Sequence, residues 1–187
     1  MSKVKVAVFA SGTGSNFEAI MNVSDLPCDV ALLVCDKPNA VVIKKAENAG
    51  IETFVFEAKK YEQKADYEAE IVSELQRRDI EWIFLAGYMR LAGTTLLQAY
   101  DGKIINIHPS LLPAFPGKDA IGQAFEAGLE ETGVTVHFID EGMDTGPIIK
   151  QEVVPVLRDD TKETLQKRIQ EVEHRLYPLV IKELLQK

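Results

Sequence analysis

The stretch Val4-Lys5-Val6-Ala7-Val8-Phe9-Ala10-Ser11-Gly12-Thr13-Gly14-Ser15-Asn16 decides how the chain is read. Residues 4–10 are nearly all apolar and lack polar alternation, which suits a strand covered on both faces of a parallel sheet. A glycine-rich turn follows at once, and a helical stretch is expected over 15–22. Glycines at 12 and 14 let the backbone turn sharply and aim N–H groups at an anion near the positive helix end. A dinucleotide fingerprint would carry a third glycine where this chain has Phe17, and the Gly-Lys-Ser/Thr of a P-loop is missing. A single phosphomonoester therefore fits better than a pyrophosphate. The same residues also suit an ordinary strand-to-helix turn with Ser15 as its cap.

Further along the chain the pattern repeats. Short apolar runs at 30–35, 53–56, 82–86 and 103–107 read as strands, and 40–49, 61–78 and 94–100 as helices. Ala65, Ala69, Val72 and Leu75 step by four, three and three, so they share one helix face. Gly50 stands where a helix over 40–49 would end in a left-handed residue. Alternating strands and helices predict right-handed βαβ units. After residue 108 the style changes. Pro109, Pro113 and Pro116 mark an irregular loop, and a short helix is expected at 119–127. Strands at 134–139 and 147–156 flank the turn 140–146, and a long helix over 161–186 carries Leu165, Ile169, Val172 and Leu176 at helical spacing. Pro178 should kink or divide it. The expected fold is α/β: a Rossmann-like, open and mostly parallel sheet with helices on both faces and an added antiparallel strand in the C-terminal half.

The chain has 187 residues, 46% of them hydrophobic, and its 21 Lys+Arg against 29 Asp+Glu give a net charge of −8. A chain of this length buries roughly 70% of the surface its unfolded form exposes, so one domain over 1–187 is expected. The acidity argues against a general nucleic-acid or anionic-membrane binder. Cys28 and Cys35 provide neither a disulfide framework nor a zinc spacing, and read as buried thiols in a reducing compartment. No stretch is long and apolar enough to span a membrane, so a cytoplasmic protein is expected.

Two further motifs could carry chemistry. Asn106-Ile107-His108-Pro109-Ser110-Leu111-Leu112-Pro113 begins where the fifth strand should end, the edge at which open α/β sheets bind ligands. Asn106 and His108 are two apart and can face one side of an extended backbone, an amide donor beside an imidazole. Such a pair also suits a loop that is merely tied down. Asp144, in Asp140-Glu141-Gly142-Met143-Asp144-Thr145-Gly146, can point into a cavity and, beside His108, would favour the charged imidazole and fix its tautomer. An Asp-rich turn capping its own backbone is the alternative. His137, between Val136 and Phe138, reads as structural. Neither Ser15 nor Ser110 sits in a Gly-x-Ser-x-Gly elbow, and the carboxylates lack a matched His pair for a metal.

Taken together, Ser11–Asn16, Gly87-Tyr88-Met89-Arg90, the Asn106–Pro113 segment, the 140–146 turn and Glu173-His174-Arg175-Leu176-Tyr177-Pro178 resemble the folate-dependent formyltransferases. Within them the chain is similar to the branch acting on glycinamide ribonucleotide in purine biosynthesis. The resemblance implies that Gly14, Ser15 and Asn16 hold the substrate's 5′-phosphate through backbone N–H groups. The glycinamide amine would attack the formyl carbon of the cosubstrate 10-formyltetrahydrofolate directly. Asn106 and protonated His108 would stabilise the oxyanion. Asp144 would keep His108 protonated and help move a proton, through water, to the departing folate nitrogen.

Folate would lie along Met89, Arg90, Leu91, Ala92, Asn106 and the 140–144 turn, with Lys64 as a nearby basic residue. Gln170 and Glu173, on one face of the closing helix, would meet the ribonucleotide; a solvated helix face is their other reading. The resemblance also implies a phosphate-binding half at 1–100 and a catalytic and folate-binding half at 101–187. The loop 110–131 would be mobile or close over substrate. No metal is expected, nor a nucleic-acid or membrane partner, and the protein would be a monomer or homodimer.

The rival readings are distinct. A methionyl-tRNA formyltransferase would be expected to add an RNA-binding domain, and a formyltetrahydrofolate hydrolase an N-terminal regulatory domain. A non-catalytic nucleotide- or NAD-binding module explains the first turn but leaves Asn106, His108 and Asp144 without a joint role.

Overall fold

The computed structural model describes residues 2–187. Seven strands form one sheet: β1 (Val4–Ala10), β2 (Cys28–Cys35), β3 (Thr53–Val55), β4 (Trp82–Leu85), β5 (Ile104–His108), β6 (Glu131–Phe138) and β7 (Ile148–Pro155). Their order is β3-β2-β1-β4-β5-β6-β7. The first five run parallel, and β6 runs against both β5 and β7. Six helices cover the faces: α1 (Ser15–Met21), α2 (Val41–Asn48), α3 (Lys64–Arg77), α4 (Thr94–Ala99), α5 (Ala120–Glu126) and α6 (Lys162–Leu185).

The apolar run of β1 is explained by the two cores it serves. Val6, Val8 and Ala10 pack with Phe17 and Ile20 of α1, Val42 of α2, and Leu165, Ile169 and Tyr177 of α6. Ala7 and Phe9 point the other way, into Tyr67, Ile71 and Leu75 of α3 and Leu96 of α4. Successive strand side chains alternate between faces, so a strand buried on both needs apolar residues at every position.

Local signals set the element ends. Gly50 (φ 73°) closes α2: its N–H donates to Glu47 O at 3.0 Å and Ile51 N–H to Ala46 O at 2.9 Å, the paired bonds of a left-handed helix stop. Helix α3 starts at Lys64 rather than 61, because residues 58–60 form a 3₁₀ turn and Asp66 accepts the Gln63 N–H at 3.2 Å. Helix α6 is one element through Pro178 and is not divided there. Proline removes one helical N–H, but Pro178 is buried beside Tyr177, whose hydroxyl donates toward Leu85 O and Ile105 O in the sheet. The helix runs on past it, with Pro178 buried and Tyr177 tied to the sheet.

The chain leaves β1 toward β2 and β3, then returns to β4 on the other side of β1. This reversal makes a crevice at the carboxyl ends of β1 and β4, where an open α/β sheet binds its ligands. Among the described residues no helix is long and apolar enough to cross a membrane, and no group of three or more His, Cys, Asp or Glu could hold a metal ion.

Candidate active site

At that crevice lies a cavity of about 450 Å³. Its walls come from the start of α1, the 87–92 loop after β4, the end of β5, the 140–144 turn and one face of α6. Asn106 and His108, with Asp144 from far along the chain, all face it.

Strand β5 carries Asn106 and His108, and the turn after β6 brings Asp144 opposite them. Asp144 Oδ2 is 3.5 Å from His108 Nδ1 and Oδ1 is 3.7 Å from His137 Nε2. Oδ2 also accepts the Gly117 N–H at 2.8 Å. Asp140, not Asp144, is the residue that caps its own turn, accepting from Gly142 N–H at 2.9 Å and Thr145 Oγ1 at 2.6 Å. Asp144 adopts φ 56°, a left-handed conformation that Asp tolerates better than most residues, and this turns its carboxylate inward.

His108 is 5% exposed, and its Nε2 lies 2.8 Å from Phe115 O. A carbonyl can only accept, so Nε2 carries a proton here. The imidazole is thus held between the loop backbone on one edge and Asp144 on the other.

His137 belongs to this group, beyond the structural part its sequence setting suggests. It pairs across the strands with Asn106, beside a register shift between Val136 and His137. Its Nδ1 lies 2.9 Å from Phe138 O and its Nε2 3.4 Å from Asn106 Nδ2. Nδ1 therefore donates to the carbonyl, leaving Nε2 to accept the amide proton. Burial lowers the His137 pKa and favours that neutral form, outweighing the opposing pull of Phe138 O and the Asp144 charge. Asn106 is thereby oriented with one amide proton engaged and one left for the cavity.

At the phosphate-type turn, Gly14 and not Ser15 is the N-cap, at φ 75° and without a side-chain cap. Glu18 N–H is the first to bond back, to Gly14 O at 2.9 Å, which leaves the preceding N–H groups unpaired by the helix. A Cβ at residue 14 would fall 2.4 Å from Val42 Cγ2. Gly14 therefore permits the close approach of this turn to α2. Ser15 and Asn16 line the cavity.

Gln170 and Glu173 of α6 also line it. Glu173 is 8% exposed, and burial pushes its carboxyl up to about 7, against the Asn16 amide contact that favours the charge. Asn16 Nδ2 donates to Glu173 Oε2 at 3.5 Å, and Asn16 Oδ1 is buried with no protein partner. Lys162 and Gln166 lie on the same cavity face; the helical step from 166 to 170 to 173 is the signal that could have found Gln166.

Met89, Arg90, Leu91 and Ala92 form the opposite wall, with Met89 and Leu91 among the exposed large apolar side chains. Lys64 stands at the rim rather than on the wall, its Nζ donating to Leu91 O at 2.8 Å. The first part of the 110–131 segment is anchored: Thr135 Oγ1 accepts Leu112 N–H at 3.1 Å and donates to Ser110 O at 2.7 Å. Its second part is α5. Folate-facing and catalytic candidates thus come from both halves of the chain.

Residues 4–181 match the family described as formyl transferase. The chain is 59% identical over 184 residues to a phosphoribosylglycinamide formyltransferase of Bacillus subtilis (strain 168), covering 97% of this chain and 94% of that protein. It is 44% identical over 183 residues to a trifunctional purine biosynthetic protein adenosine-3 of Gallus gallus, covering 96% of this chain but 18% of that much longer protein. Among solved structures, glycinamide ribonucleotide transformylase 1 from Geobacillus kaustophilus superposes with a TM-score of 0.96 at 60% identity, over 98% of this chain and 100% of that one.

Proposed function

The chain belongs to the formyl transferase family, and from that premise we infer its reaction. It transfers the formyl group of 10-formyltetrahydrofolate to the glycinamide amine of N1-(5-phospho-D-ribosyl)glycinamide. The products are the N2-formyl ribonucleotide and tetrahydrofolate, in de novo purine biosynthesis. The observation that carries this reading is the meeting of Asn106, His108 and Asp144 in one cavity, with Asp144 Oδ2 3.5 Å from His108 Nδ1.

We propose the following roles. The unpaired N–H groups around Gly14, Ser15 and Asn16 grip the 5′-phosphate. Asn16 Oδ1, buried without a partner, and Glu173 accept from ribose hydroxyls, with Gln170 beside them. Met89, Leu91 and Ala92 give the folate an apolar wall, while Arg90 and Lys64 pair with its anionic tail.

The amine nitrogen attacks the formyl carbon, a C–N bond forms, and the carbonyl oxygen becomes an oxyanion. The free Asn106 amide proton meets that oxygen, and protonated His108 stabilises it. The bond from carbon to folate N10 then breaks. The attacking nitrogen loses a proton and N10 gains one, and Asp144 mediates this exchange through water while stabilising the imidazolium. We propose that one domain does this work, as a monomer or homodimer. The cytoplasm is its compartment, in keeping with two free, buried thiols at Cys28 and Cys35.

Formyl transfer by the purified protein, run with and without glycinamide ribonucleotide, tests the reading. Acceptor-dependent release of tetrahydrofolate is expected. Equal folate turnover without acceptor would make the protein a hydrolase, and no turnover with folded protein would return it to the binding modules.

A further inference from the structure

Asp36 follows directly on β2, and it is a buried carboxylate that the reaction above leaves without a part. Its side chain is 1% exposed. Oδ1 accepts the Ser11 hydroxyl at 2.5 Å, and Oδ2 accepts Arg90 Nε–H at 2.9 Å. The Ser11 oxygen in turn accepts the Met89 N–H at 2.9 Å, and Ser11 N–H donates to Gly87 O at 3.1 Å. Every contact of this carboxylate therefore ends, directly or through Ser11, on the loop that walls the cavity.

A second buried carboxylate holds the far end of that loop. Glu68, 2% exposed, accepts Gly93 N–H at 2.8 Å and Leu96 N–H at 3.4 Å. With both loop ends already fixed through the Ser11 and Glu68 contacts, the Asp36–Arg90 contact adds something narrower: the orientation of one guanidinium.

Arg90 is held side-on. Among the described residues Asp36 is the acceptor that Arg90 reaches within hydrogen-bond distance, and the contact uses Nε alone. The terminal nitrogens are left without a protein acceptor, on a side chain that is 36% exposed and lines the cavity. The guanidinium lies 6.0 Å from the Tyr67 ring centroid. Burying a carboxylate is costly unless its hydrogen bonds are well made. Here they fix the plane of a fork whose open edge matches a second carboxylate in bidentate geometry. Lys64 Nζ, on Leu91 O, adds a second cation at the same rim of an otherwise acidic protein.

We propose that Asp36 is a positioning residue for donor recognition: with Ser11 it holds Arg90 so that the terminal guanidinium nitrogens receive a carboxylate of the donor's glutamyl tail. This rests on the folate-dependent reading given above and adds the residue that sets its preference for a glutamylated donor.

The test compares two donors, 10-formyltetrahydrofolate and its counterpart without glutamate, 10-formyltetrahydropteroate, at saturating ribonucleotide. Wild type should prefer the glutamylated donor. D36N should raise KM for that donor about tenfold, the factor expected when one charge-assisted hydrogen bond is weakened. KM for the pteroate donor and kcat should stay within about twofold, inside the usual scatter for an uncoupled change. S11A, which keeps the carboxylate, should shift KM in the same direction by a smaller factor and serves if D36N folds poorly. In an R90A background, D36N should add nothing.

Equal KM increases for both donors, or a further loss from D36N when Arg90 is already absent, would reduce Asp36 to a structural tie. An R90A enzyme that still prefers the glutamylated donor would also overturn the proposal. Failure of wild type to formylate glycinamide ribonucleotide at all would instead overturn the reading it rests on.

Discussion

Asp144 meets His108 through the same oxygen that anchors the neighbouring loop: Oδ2 is 3.5 Å from His108 Nδ1 and 2.8 Å from the Gly117 N–H it accepts. The charge of the carboxylate and its hold on the loop can therefore be separated. In D144N an amide oxygen can still accept from Gly117, but the negative charge beside the imidazole is gone.

We expect D144N to fold and bind both substrates while kcat falls about 10²–10⁴-fold, the range for loss of a positioned acid–base group. Rapid-quench single turnovers separate chemistry from binding. A kcat within a few-fold of wild type would remove Asp144 from the proton path.

His137 supports a prediction with a defined pH sign. Its folded pKa lies below the ordinary 6.5 because of burial. As pH falls below about 6.5, the unfolded chain takes up a proton that the folded chain resists, so this residue makes stability decline toward acid. H137Q, whose side-chain oxygen can still accept from Asn106, should show a shallower loss of melting temperature between pH 7.5 and 5. Parallel curves for the two proteins would contradict a neutral buried imidazole.

These two residues also mark how far the sequence was legible. The strands, most of the helices and the set Asn106, His108 and Asp144 follow from apolar runs, turn residues and a motif-level resemblance, all properties of local sequence. The part played by His137 does not. It depends on β6 lying antiparallel beside β5 with residue 137 opposite 106, next to a register shift, and on a turn that brings Asp144 back to both. Asp140 and Asp144 are equally acidic neighbours of glycine in the sequence. The difference between capping its own turn and meeting His108 appears with the left-handed backbone at 144. Asp36 was missed because a single acidic residue after a strand has no local signature. Its partners stand 25 and 54 positions away.

Glu173 should make ribonucleotide binding pH-dependent. Its folded carboxyl, pushed up to about 7 by burial, is raised above the ordinary 4.5. The folded state holds the proton more tightly, so the associated stability is present below about 4.5 and is lost as pH rises through about 7. The loss is on the order of 3 kcal/mol. A carboxylate accepting ribose hydroxyls binds best when ionised, so the ribonucleotide KM should fall as pH rises from 6 to 8. E173Q should remove that dependence and raise the melting temperature at pH 8 relative to wild type. The difference between the two pH profiles isolates Glu173 from the titrating phosphate and amine of the substrate itself, and identical profiles would exclude it from the ribose site.

Gly14 carries two separable demands, and one pair of variants distinguishes them. Its φ of 75° strains any side chain, and a Cβ there would stand 2.4 Å from Val42 Cγ2. G14A should destabilise the fold by about 1–3 kcal/mol, the usual range for a left-handed non-glycine residue. It should also raise the ribonucleotide KM, since straightening residue 14 reorients the N–H groups that follow it. V42A removes the nearer clashing atom, Cγ2, leaves Val42's Cβ position at 2.7 Å occupied, and leaves the backbone demand intact. If crowding dominates, G14A/V42A will recover part of the stability and part of the KM lost in G14A, the part owed to Cγ2. If the backbone conformation dominates, the double variant will show no recovery and will carry the added cost of the cavity at residue 42. A G14A protein with unchanged melting temperature and KM would refute both demands, and with them the assignment of this turn to the phosphate.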